Sequence, residues 1–264
     1  MISNNIEGNC GEENIANFWR EHYKSLFNCG FDNPRTEVEI RSNELTEVSE
    51  DEILKCILDL KTNKSPGPDL VTAEHVQLAS SIIVPMLMKL ISAILVHGIL
   101  PDLMVDLDLV PIQKDAKGEL NDKNNYRPIA LASCFSKILK MCIFNRIGDF
   151  IKTEPNQFGY KAELGTDSCI YTLKEVILNN KKNDTNTFLA FLDATKAFDK
   201  INHDVLFEKL INVGTLGYMV RIISNWYPSQ QVRVKWGGSH SHSFNTANGV
   251  KQGGCYPPIS SISI

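Results

Sequence analysis

Residues 188–192, Phe-Leu-Ala-Phe-Leu, run straight into Asp193, and Asp199 follows six positions on in the stretch FLDATKAFDKINHD. An unbroken apolar run of this length reads as a short strand covered on both faces. A carboxylate at the end of such a strand is costly to bury without a counter-charge. In phosphate chemistry that counter-charge is usually a divalent cation, because Mg²⁺ takes one or two protein carboxylates together with substrate phosphates. The run therefore raises two questions: whether Asp193 holds a metal, and which segment supplies a second carboxylate.

The surrounding pattern sets the fold class. Periodic spacing predicts helices over 14–27, 49–60, 133–151, 166–178, 204–213 and 217–227, the first built on Ile15, Phe18, Trp19, His22, Tyr23 and Leu26. Ser49 and Glu52 have capping-box spacing, and Gly214 suits a helix C-terminus. Residues 107–114 read as a strand, and 231–247 as a hairpin turning on Gly237-Gly238. The Pro- and Gly-rich NKSPGPD, 63–69, reads as a loop. Interleaved helices and strands make the class α/β or α+β. Residues 82–100 form the long apolar stretch, interrupted by Pro85, Lys89, His97 and Gly98. They predict a buried core helix from about Pro85 to Gly98 rather than a bilayer span, so no membrane partner is expected.

Charge is unevenly spread. The net charge is -4, yet residues 1–60 hold 13 acidic against 5 basic side chains, and the remainder is net positive. Lys114, Lys117, Lys123, Arg127, Lys137, Lys140 and Arg146 outnumber Asp115, Glu119 and Asp122 across the centre. That balance fits an anionic partner, and a solvated helix face accounts for it equally well. Seven widely spaced cysteines without a Cys-x-x-Cys pair suggest neither a zinc site nor a disulfide framework, and reduced thiols point to an intracellular setting.

Five stretches, in order, resemble the reverse transcriptases of non-LTR (LINE-type) retrotransposons: KSPGPD (64–69), NNYRPIALASCFSKILK (124–140), NQFGYKAELGTDSCI (156–170), FLDATKAFDKINHDVLFEKL (191–210) and NGVKQGG (248–254). The resemblance implies a right-hand polymerase, with an N-terminal extension of one helix over 1–48, fingers over about 49–180 and the start of the palm over about 181–264. It implies RNA-directed DNA synthesis from an RNA template and DNA primer, with deoxynucleoside triphosphates and two Mg²⁺ ions. Two metals clamping the attacking and leaving oxygens need carboxylates from two chain segments. By resemblance Asp193 is a catalytic metal ligand and the Ala194 backbone a second contact. Phe198 falls at an aromatic gate beneath the sugar, where core packing accounts for it equally well. Asp199 reads as a turn or capping residue. Arg127 matches a fingers arginine that grips the triphosphate in two places, with Lys114 as its companion. Gln252 and Gly253 match a Gln-Gly motif at the nucleotide, and Gln157 a motif near the template path. Lys137, Lys140 and Arg146 offer a basic helix face to backbone phosphates. His240 and His242 alternate on one strand face, which suits a chelate or, more simply, a solvated hairpin edge.

The sequence also departs from the pattern. The family's last catalytic motif is an aromatic residue, any residue and two aspartates, and no Asp-Asp pair occurs here. Leu70 stands where a glycine usually follows Gly-Pro-Asp, and CYPPISSISI replaces an apolar helix. The expectation is a fingers–palm architecture truncated before the final catalytic motif and the thumb, and inactive alone. The competing reading is a non-catalytic nucleic-acid-binding remnant. An unrelated Mg²⁺ phosphotransferase fits poorly, since position 195 is threonine and no phosphate-cradling glycine loop is present.

Overall fold

The computed structural model describes residues 3–28, 47–148, 150, 155–159, 161, 163–193 and 199–250. A short ladder of β1 (Asn5–Ile6) and β2 (Asn9–Cys10) precedes α1 (Glu12–Phe27). Then come α2 (Glu50–Leu58), α3 (Ala73–Leu78), α4 (Ser80–His97), α5 (Asp102–Val105) and the antiparallel strands β3 (Leu107–Gln113) and β4 (Tyr126–Ala132). After α6 (Cys134–Ile147) and α7 (Thr166–Lys182) lie α8 (His203–Asn212), α9 (Gly217–Ser229), β5 (Gln231–Trp236), β6 (Ser239–His240) and β7 (Phe244–Asn245). The main sheet has the order β4-β3-β5-β6, with β7 also paired to β5 and β5 running parallel to β3. β5 thus lies downstream of the expected fingers boundary near 180 and still joins the sheet formed by β3 and β4.

Two cores hold this arrangement. Strand alternation sends Leu107, Leu109, Tyr126, Val232, Val234 and Trp236 to one face, where α1 covers them. Helical spacing turns Ile15, Trp19, Tyr23 and Leu26 of α1 toward that face, as the sequence predicts. On the other face Asp108 is buried against Arg233, 3.1 Å away. The second core joins α2, α4, α6, α8 and α9 through Ile53, Ile91, Ile138, Leu139, Leu210 and Ile222. Ser49 accepts the Glu52 amide at the start of α2, and Gly214 takes φ +83 after α8. α4 ends at Gly98 as expected but starts at Ser80, carrying Pro85 inside it. Its length and composition would allow a bilayer crossing; Val84, Leu87, Ile91, Ile94 and Leu95 are buried in the helical core, whereas Ile82, Met86, Leu90 and Val96 are exposed, so the helix is only partly the buried core helix expected.

The expected strand at 188–192 does not form. These residues carry no strand pairing; Phe188 is 92% and Leu192 99% exposed, and Asp193 is exposed with them. α7, just upstream, buries no side chain. An apolar run becomes a buried strand only where another strand accepts its backbone bonds, and no described residue does so. Conversely, β4 falls on YRPIALA, which the sequence reading left unassigned.

The KSPGPD loop is fixed by close backbone approach. A Cβ on Gly67 would lie 2.6 Å from the Ala132 carbonyl carbon and the Ser133 nitrogen at the end of β4. Two residues past Pro68, Leu70 adopts φ +59 with its side chain 71% exposed, a left-handed backbone that costs a non-glycine residue about 1–2 kcal/mol. The unusual residue of the motif therefore sits where glycine fits best. Leu70→Gly is expected to raise stability by up to about 1 kcal/mol after the entropy glycine adds to the unfolded chain. Gly67→Ala should lower it by about 1–3 kcal/mol through backbone overlap. Denaturant titration of the two variants beside the parent checks both signs.

Candidate nucleotide-binding site

Pairing of β3 with β4 sets Ile112 opposite Arg127 and Gln113 opposite Tyr126, so Lys114 and Arg127 leave the same end of the ladder. The long polar connection between them folds back: the Lys114 amide donates to the Asn125 carbonyl and its Nζ to the Asn124 carbonyl, both at 2.7 Å. Asp122 caps the 3₁₀ turn Lys123–Asn125. The loop that separates the two cations in sequence is what brings them together.

These residues line a pocket of about 290 Å³, walled by His22, Tyr23 and Leu26 of α1, by Lys114, Lys123 and Asn124, by Tyr126, Arg127 and Pro128 of β4, and by Asp199. Three cationic side chains face one carboxylate. The Arg127 guanidinium is exposed and makes no hydrogen bond or ion pair with a described residue. Lys123 Nζ lies 4.0 Å from Glu7. Asp199 is 6% exposed, within a turn as expected, and also forms part of the pocket wall. Burial pushes the Tyr126 phenol up, and it donates to the Leu120 carbonyl at 2.8 Å. This setting suits an anion with several oxygens: guanidinium grips phosphate through two donors, and lysines add point charges.

Two of the sequence motifs meet beside it. Asn202 bridges to Asn248, the Gly249 amide donates to the Ile201 carbonyl at 2.8 Å, and His203 Nε2 lies 2.8 Å from the Gly249 carbonyl. Gly249 has φ +87, and a Cβ there would lie 2.7 Å from the Asp199 carbonyl oxygen. The start of NGVKQGG is thus docked on the end of FLDATKAFDKIN, through a position only glycine fills. The C-terminal carbonyl of α1, on Phe27, accepts the Ala247 and Asn248 amides.

The other candidates fall differently. Ala194, Phe198, Gln252 and Gly253 lie outside the described residues. Asp193 is exposed and is not among the pocket's lining residues. Arg146 corrects the expected basic face: it grips both carboxylate oxygens of Glu52, with Nη2 to Oε2 at 2.8 Å, and donates to the Cys142 carbonyl at 3.1 Å. Its charge ties α6 to α2 instead of facing phosphate. Lys137 remains half-buried on α6, and Lys140 Nζ lies 5.9 Å from the centroid of the Phe144 ring. The Gln157 amide donates to the Gly159 carbonyl at 2.9 Å. His240 faces Asp108 at 3.5 Å, and no cluster of three potential metal-ligating side chains occurs among the described residues. Sequence pattern places Lys123 in the basic stretch and Tyr23 and Leu26 on a helix face, but assigns none of them to the site. Lys123 was legible as part of the basic stretch, whereas nothing local marked His22 or Tyr23.

A family model described as reverse transcriptase (RNA-dependent DNA polymerase) matches residues 112–263. The chain belongs to the reverse transcriptase family. It is 28% identical over 200 residues to the Pol polyprotein of the type-2 retrotransposable element R2DM of Drosophila melanogaster, covering 75% of this chain and 18% of that protein. It is 26% identical over 218 residues to the RNA-directed DNA polymerase from mobile element jockey of the same species, covering 81% and 24%. The probable RNA-directed DNA polymerase from transposon BS matches at 28% over 214 residues, covering 79% and 23%. The chain thus spans a quarter or less of the length of these relatives. As a family, reverse transcriptases use divalent metal ions, a nucleic-acid template and nucleotide substrates. The described residues do not assemble a site for such a metal: a two-metal clamp needs converging carboxylates, Asp193 is exposed, and no group of three potential ligands occurs among them.

The two classes of basic residue separate experimentally. Arg146→Met should lower stability by about 1–3 kcal/mol, since it strands the half-buried Glu52 carboxylate, and leave RNA affinity within about twofold. Lys137→Glu combined with Lys140→Glu should weaken RNA binding severalfold at low salt and flatten its salt dependence. Thermal melts paired with filter binding at two salt concentrations read both effects.

Proposed function

We propose that this chain is the nucleotide- and template-handling part of an RNA-directed DNA polymerase from a non-LTR retrotransposon. The observation that carries this reading is the convergence of Lys114, Lys123 and Arg127 on one pocket beside the junction of the FLDATKAFDKIN and NGVKQGG segments. In this reading the triphosphate of an incoming deoxynucleotide lies against the three cations, with Arg127 holding two oxygens. The RNA template and DNA primer follow Lys137, Lys140 and Gln157. Mg²⁺ is the proposed metal, and Asp193 its proposed ligand from this segment. The relatives' names support the activity: the jockey protein is called an RNA-directed DNA polymerase.

The test is incorporation of labelled deoxynucleotide on an RNA template with an annealed DNA primer. A chain joined to the aromatic-x-Asp-Asp segment of a relative should extend the primer with Mg²⁺, and Asp193→Asn in that protein should reduce extension at least 10³-fold, because a neutral amide is a poor ligand for a hard cation. Arg127→Ala should act chiefly through KM for the nucleotide, raising it about tenfold or more. The 264-residue chain should bind primer–template and nucleotide without incorporating. Binding of neither would sink the polymerase reading, and binding of RNA alone by every version would favour a non-catalytic remnant.

A further inference from the structure

We infer that α1, which lies upstream of the segment matched by the family model, supplies a positioning residue to the pocket: the Tyr23 phenol donates a hydrogen bond to a phosphate oxygen of the bound nucleotide. The inference rests on the pocket being a nucleotide site. Tyr23 lines the same cavity as Lys114, Lys123, Arg127 and Asp199. Its ring is held on several sides. It stacks on Trp19, with centroids 5.4 Å apart and planes at 17°, and tilts against His22 at 5.3 Å and Phe27 at 6.3 Å. The side chain is 1% exposed, and its hydroxyl is shielded from water with no hydrogen-bond partner among the described residues.

A buried hydroxyl without a partner is uncommon and costs the free protein a lost hydrogen bond. Burial, and then the charge of Asp199, push the Tyr23 phenol well above its ordinary range. It is therefore a neutral donor near neutral pH. The pocket thus combines three cations, which attract an anion from every direction, with one neutral donor, which rewards a single placement of an oxygen atom. A donor immobilised before the ligand arrives loses little entropy when it bonds. The C-terminal carbonyl of α1 binds the Ala247 and Asn248 amides, so the helix that carries Tyr23 is anchored to the loop entering the Gln-Gly motif.

The experiment uses the whole chain and two probes, dTTP and inorganic triphosphate, titrated onto the parent, Tyr23→Phe and Arg127→Ala, with thermal melts of each. Tyr23→Phe should bind both probes about tenfold more weakly. Its melting temperature should stay the same or rise, because the deleted hydroxyl had no partner. Affinity falling together with melting temperature would make the phenol a structural group and overturn the inference. Unchanged affinity in Tyr23→Phe while Arg127→Ala binds weakly would also overturn it and leave the pocket standing. Weaker binding of dTTP with unchanged binding of inorganic triphosphate would refute the assignment to phosphate. If the parent binds neither probe, or Arg127→Ala binds as the parent does, the pocket reading itself falls.

Discussion

The antiparallel ladder between β3 and β4 is the constraint on which the rest depends. Its register runs from Leu107 opposite Ala132 to Gln113 opposite Tyr126, and Pro111 lies directly opposite Pro128. Two prolines can face each other only at a pair that exchanges no amide bonds, because neither has an N–H. The backbone positions at such a pair point outward, away from the partner. For Pro128 that side is the free edge of the sheet; for Pro111 it is the side of β5, whose pairing to β3 covers only Leu107 to Leu109. The prolines therefore fix the register and mark where β5 must stop. A slip of one residue would reverse the faces of every side chain, taking Leu107 and Leu109 off α1 and moving Arg127 from its place beside Lys114.

α1 is the second support, and it works through aromatic packing. Trp19 contacts Tyr23, Tyr126 and Trp236 at centroid distances between 5.1 and 6.0 Å, so one indole joins the helix to both β4 and β5. The indole N–H groups of Trp19 and Trp236 are buried without partners, which opposes folding. The area these rings bury, about 150–250 Å² each, and their edge contacts outweigh that cost. Because the rings form one contiguous layer, the position of Tyr23 at the pocket and the position of Tyr126 beneath Arg127 are set by the same packing.

Helices were the legible part of the fold. A helix that buries one stripe writes a 3.6-residue period into its sequence, and α1, α2, α8 and α9 each carry it through residues such as Ile15, Ile53 and Leu210, while α6 was legible by its apolar content and is buried nearly all round. β4 was hidden because Pro128 reads as a strand breaker, and only its place on an edge opposite another proline makes it acceptable. At the site, Arg127 and Lys114 were found through the resemblance; the long loop between them carries no local sign that they meet, and hydrogen bonds from Lys114 to Asn124 and Asn125 fold it back. Tyr23 was illegible since its local pattern is that of any core aromatic. Arg146 was misread because its partner Glu52 lies 94 positions away.

The strand expected at 188–192 shows why the two halves of the site differ. Hydrophobicity records that a segment favours burial, whereas a strand also requires a neighbour for its amides and carbonyls. Phe188, Phe191 and Leu192 have the first property and no partner among the described residues for the second, so they stand in solvent after a helix that buries nothing. The cationic side chains of the pocket depend on the β3–β4 ladder and on α1, whose backbone and packing partners all lie among the described residues. Asp193 follows a run that finds no strand partner among the described residues, and it is exposed with that run. The pocket wall and the NGVKQGG segment meet instead at one close backbone approach, where Gly249 lies against the Asp199 carbonyl.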